Sequence, residues 1–167
     1  DGIKSQIDVA LPILEDLKIK GFFFIYSSLF TGKPDLLEVY RYFRINYFDS
    51  IEYFYKEFYN TLNKDLKTFF IKNKKNIKIA KKKFPHYSIE DIKFRLIRDK
   101  YLNKNQYQKV MFKMFNEKKF NPKAFYKHLF MNKYDLFQLK KLGHSIGLHS
   151  HEHPTLMENL SYEEQYK

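Results

Sequence analysis

Five apolar residues stand in a row at Phe22-Phe23-Phe24-Ile25-Tyr26, directly after Gly21. A strand with one face in water alternates polar and apolar side chains. A run without alternation is expected to be covered on both faces, as in a parallel sheet. The flanks agree. Ile7, Ala10, Leu11, Leu14 and Leu17 fall at helical spacing ahead of the run, and Pro12 comes early enough for its missing N–H to be tolerated. Towards the other end, Asn132 and Asp135 are spaced to start a helix through Leu136 and Leu139, and Gly143 suits its end. Ser145-Ile146-Gly147-Leu148-His149 follows as a second short strand. A loop from His151 to Asn159 leads to Ser161 and Glu164, a capping box for a last helix. Helix, strand and helix in that order predict an α/β chain.

Between these pieces the pattern is helical throughout. Asp49 with Glu52 and Ser88 with Asp91 have cap spacing, and Asn121-Pro122 places proline at the first turn of another helix. Ile51, Phe54, Tyr55, Phe58 and Leu62 trace one apolar face, and Val110, Met111, Met114 and Phe115 trace another. Seven lysines between Lys72 and Lys83 read as a solvated helix face or a linker. Charge divides the chain at the same places. Residues 35–131 carry a net charge of +13, and the remainder carries −1. The expectation is therefore a frame, residues 1–34 and 132–167, interrupted by a basic, aromatic, all-helical insertion, residues 35–131. Such an insertion could mediate oligomerisation. The same composition also follows from a coding bias towards Lys, Asn, Ile, Tyr and Phe.

The 167 residues contain no cysteine, which excludes disulfides and thiolate metal ligands. No apolar run approaches the ~20 residues of a membrane-spanning helix. Neither fact fixes the compartment; the cytoplasm is slightly favoured, and a signal ahead of Asp1 stays open. The chain opens at Asp1 and closes inside a helix signal, and a fragment of a longer protein is the expectation. A nucleic-acid-binding or interaction module is an alternative raised by the charge, but the lysines spread over several helices and no nucleic-acid motif is present.

Chemistry concentrates at His149-Ser150-His151-Glu152-His153-Pro154. Neutral imidazole is the commonest metal ligand, and three of the six histidines fall within five residues. On an extended strand, positions i and i+4 lie roughly 13 Å apart. His149 and His153 can therefore share an ion only if the chain turns between them. The pairs His149–His151 and His151–His153 would instead suit a strand.

The stretch Gly143-His144-Ser145-Ile146-Gly147-Leu148-His149-Ser150-His151-Glu152-His153-Pro154 resembles the second motif of the polysaccharide deacetylases, carbohydrate esterase family 4, which share the chitooligosaccharide-deacetylase homology domain. Asp1-Gly2 resembles the end of that family's first motif, Phe-Asp-Asp-Gly. The match covers residues 1–30 and 132–167.

The resemblance implies part of a distorted (β/α) barrel with its site at the C-terminal ends of the strands. It implies a metal held by Asp1, His149 and His153, with Gly2, Ser150 and Pro154 in support. The ion would be divalent, zinc first, with cobalt, nickel or manganese as alternatives. The substrate would be an N-acetylated sugar or polysaccharide, or, in the alternative on the same fold, a non-sugar amide. The family's catalytic base and general acid find no counterpart in these residues, so residues 1–167 alone are expected to be inactive.

Overall fold

The computed structural model describes residues 2–154, 157 and 160–166. The chain forms two compact units, Asp1–Val39 with Pro122–Lys167, and Tyr40–Asn121. The helices in chain order are α1 (Leu11–Asp16), α2 (Leu36–Asn46), α3 (Ile51–Leu62), α4 (Lys67–Lys72), α5 (Lys74–Lys83), α6 (Ile89–Leu96), α7 (Lys104–Glu117), α8 (Pro122–Leu129), α9 (Lys133–Lys141) and α10 (Tyr162–Gln165).

The expected (β/α) barrel is not what these residues form. The protein is 65% helical, and its described strands are only β1 (Phe22–Ile25) and β2 (Ser145–Leu148). A parallel barrel needs about eight tilted strands to enclose an interior, and two strands of four residues enclose nothing. The architecture is mostly helical, with one parallel strand pair.

In the first unit β1 and β2 pair in parallel, from Phe22 opposite Ser145 to Ile25 opposite Leu148. Phe23 and Ile25 enter a core with Ile7, Leu11, Met131 and Leu139. Phe22 and Phe24 face the other way and are 61% and 48% exposed. The expectation of a strand covered on both faces therefore fails on the outer face. There the two rings stack on each other, 4.8 Å between centroids. They also close over Gly147, where an added Cβ would meet the Phe22 ring at 2.5 Å. The apolar run is partly satisfied by its own side chains rather than by a second layer.

Polar bonds of long sequence separation fasten this unit. Asn132 caps α9 by accepting from the Asp135 N–H, and Asp135 returns the bond by accepting from the Asn132 N–H. The second Asp135 oxygen accepts from Lys4 Nζ at 2.6 Å, and Asp135 is buried. His144, also buried, accepts at Nδ1 from the Gly21 N–H at 3.0 Å, which joins the start of β2 to the start of β1. Its Nε2 lies 3.1 Å from a Glu15 oxygen but without the angle of a hydrogen bond. Gly2 has φ +70°, and a Cβ there would press on the tip of the Leu29 side chain at 2.8 Å, so glycine is favoured.

The second unit is built from aromatic packing. Phe43, Phe54, Phe58 and Phe94 are essentially inaccessible, as are Met111 and Met114. The Phe58 ring meets Phe94 at 5.0 Å, edge to face, with Phe54 and Tyr107 around it. Such geometry is favourable beyond the area it buries. The cap of α3 is Ser50, which accepts from the Tyr53 N–H, and not Asp49 as the spacing suggested; Ser88 caps α6 as expected. One carboxylate is enclosed here: Asp91 accepts from the Tyr55 hydroxyl and from Arg95 Nε, both at 2.6 Å. A cavity of about 450 Å³ within this unit is lined by residues including Arg44, Tyr55, His86, Asp91 and Arg95, and by none of the candidate metal-site residues.

Candidate metal centre

The two strands end side by side and the chain continues in register beyond them. The His149 N–H donates to the Ile25 carbonyl at 2.6 Å, Ser27 N–H to Ser150 at 3.2 Å, and Ser28 N–H to His151 at 3.0 Å. The loop after β2 is thus laced to residues 25–28. It then turns sharply. Ser150 and His153 both take left-handed backbone, φ 62° and 54°. The Ser150 hydroxyl accepts from the His153 N–H at 3.1 Å across the turn.

This turn brings His149 and His153 together. Their ring centroids lie 4.9 Å apart with the planes nearly perpendicular. His151 is drawn elsewhere, its Nδ1 lying 2.8 Å from the Ser27 hydroxyl. Glu152 is exposed and Pro154 half-buried. Asp1 lies outside the described residues. Gly2 is buried, and its carbonyl accepts from the Met131 N–H at 2.8 Å.

Two further residues complete the surroundings of His153. Asp35 Oδ2 lies 3.1 Å from its Nδ1. Tyr26 stacks on the ring at 5.2 Å and 21°, and its hydroxyl accepts from the Asp35 N–H at 3.0 Å. Burial pushes the Tyr26 phenol up to about 12, so it stays protonated. The pKa of His149 is held below the ordinary imidazole value, by what burial it has and by the neighbouring His153. Both influences favour the neutral ring, which is the form that binds a metal.

Asp35 was not visible as a site residue from the sequence. Following Pro34, it reads as a helix-start residue, and it does accept from the Leu37 N–H. Nothing in its spacing announces a histidine 118 positions away. Tyr26 was read only as the last member of an apolar run.

The donor chemistry suits a borderline divalent ion such as zinc: two imidazoles lie close together, and a carboxylate bonds the Nδ1 of one. Coordination through His153 would then fall to Nε2. No group of three His, Cys, Asp or Glu residues able to hold a metal occurs among the described residues. No protein-family model, curated protein or solved structure matches the chain.

Proposed function

We propose that the chain carries part of the centre of a metal-dependent hydrolase that removes N-acyl groups from amino sugars. The observation that carries the reading is the pairing of His149 and His153, with Asp35 engaged at His153 Nδ1. It supports the motif reading by bringing two imidazoles close together, 4.9 Å between ring centroids. What a divalent ion supplies when bound is polarisation of the acyl carbonyl and a more acidic water.

The chain's own residues do the positioning. Asp35 accepts the Nδ1 proton of His153, which fixes the tautomer and makes Nε2 the more basic nitrogen. Tyr26 covers one face of that ring and keeps water from it. Ser150 holds the backbone of His153, and Ser27 anchors His151 away from the pair.

The first test is metal binding. Titrated with cobalt(II), the chain should develop the visible absorption of a nitrogen- and oxygen-ligated ion, and H149A and H153A should each lose it. Unchanged spectra in both variants would overturn the assignment. The second is turnover. A protein carrying this chain should release acetate from N-acetylated oligosaccharides and lose that activity in H153A. Release only from non-sugar amides would move the substrate to the other class.

A further inference from the structure

Residues 66–89 contain eight lysines, no arginine and no aspartate or glutamate. They hold α4 and α5, neither of which buries a residue. On α5 the half-buried residues are Ile77, Ala80 and Lys81. At about 100° per residue these three share one side, and α5 packs on α6. The remaining face is the informative one. Lys74, Lys78 and Lys82 align along it, and Ile79 lies between Lys75 and Lys83. Ile79 is 55% exposed and Ile71, on α4, is 65% exposed. Phe84, just past α5, is exposed too, with Lys83 Nζ over its ring at 5.4 Å.

The charges on this face are not spent internally. None of the eight lysines takes part in an ion pair among the described residues. Among the described residues, only the Lys81 ammonium is tied down by hydrogen bonds, to the Pro85 and Tyr87 carbonyls. Exposed isoleucines occur elsewhere, as at Ile45 (68%), but here they stand among lysines with no acidic residue between positions 66 and 89.

We propose that this basic segment, α4 to Phe84, binds the surface of an anionic lipid bilayer. Lysines would lie against the headgroup phosphates, and Ile71, Ile79 and Phe84 would enter the boundary between headgroups and acyl chains. Charge complementarity selects an anionic partner. The exposed apolar side chains select lipid over nucleic acid, because a phosphate backbone gives an isoleucine nothing to enter. The lack of arginine points the same way, since bidentate phosphate and base recognition favours arginine. No helix among the described residues is long and apolar enough to cross a membrane, so the contact is with the surface.

The experiment is co-sedimentation of the chain with vesicles of phosphatidylcholine, with and without phosphatidylglycerol. Binding should require the anionic lipid and weaken steeply with salt. Combined K74Q, K75Q, K78Q and K82Q should lower partitioning at least ~100-fold. All four side chains are exposed, and circular dichroism checks that the fold is kept. I79S should weaken vesicle binding several-fold yet leave retention on an anionic polymer unchanged. Absence of binding to anionic vesicles at low salt would overturn the proposal. So would binding to duplex DNA tighter than to vesicles and insensitive to I79S, which would assign the face to nucleic acid.

Discussion

The two units solve the problem of stability in different ways. Tyr40–Asn121 packs aromatic rings against one another and encloses its one deeply placed carboxylate with a tyrosine and an arginine. Asp1–Val39 with Pro122–Lys167 has a small core in which Phe23 sits among Ile7, Leu11, Ile25, Met131 and Leu139, an outer strand face that is half open to water, and single polar bonds that span more than a hundred residues. The histidine pair belongs to this second kind of unit. Precision at the strand ends comes from a few hydrogen bonds, each of which matters more than any one contact in a dense core. The comparison can be broken or sharpened by substitutions on each side.

The largest effect is expected at Phe58. It is inaccessible and ringed by Phe54, Phe94 and Tyr107. F58A should destabilise its unit by about 3–5 kcal/mol, the usual loss when a core aromatic leaves a cavity. Urea unfolding measures it; a loss below about 1 kcal/mol would mean that the rings do not form a tight core.

Next comes Asp135, where one carboxylate accepts from the Asn132 N–H at the start of α9 and pairs with Lys4. D135A should cost about 2–3 kcal/mol, because it strands a half-buried ammonium and leaves the Asn132 N–H without its acceptor. Hydrogen exchange should place the loss in the amides of α9. Exchange that stays unchanged there would show that this unit does not depend on single polar bonds.

D35N should weaken zinc binding about 10–100-fold, or about 1–3 kcal/mol, as loss of a carboxylate behind a ligating histidine does elsewhere. Isothermal titration with zinc measures it, and an affinity equal to that of the parent would remove Asp35 from the site.

The smallest effect concerns acid. Burial raises the pKa of Asp91, but the Tyr55 and Arg95 bonds outweigh it and leave the carboxyl below its ordinary value. Its folded pKa is therefore lower than its unfolded one. The stability it contributes is complete above about pH 4 and is lost as the pH falls through the folded value. Thermal melts from pH 6 down to pH 2 should show this decline, and D91N should flatten its acid end. An equal decline in both proteins would assign the acid sensitivity to other carboxylates.

The helices were legible because their signals are local. Asn132 with Asp135, Ser88 with Asp91 and Ser161 with Glu164 lie three apart and cap as spaced. Ser50 displaced Asp49 by one residue, the ordinary limit of such reading. The apolar run at Phe22 gave a strand but misled about its outer face, since a sequence cannot say that two phenylalanines will stack over a glycine. The barrel was inferred from the resemblance, and the described residues supply two strands towards it. The closeness of His149 to His153 depends on two left-handed residues that are not glycines, and Asp35 reaches the pair from across the chain. Neither has a periodicity to read.

Those two left-handed residues have a consequence for how the loop can change over time. A serine and a histidine at φ 62° and 54° each hold a conformation that costs on the order of 1 kcal/mol relative to glycine. Selection for heat resistance alone would replace Ser150 with glycine or asparagine, residues that adopt this backbone readily. It would also remove or reshape the hydroxyl that bonds the His153 backbone, and glycine would restore freedom to the peptide that sets the spacing of the rings. Durability and ligand geometry are therefore opposed at one position, and a lineage that keeps serine there gives up some of the first to retain the second.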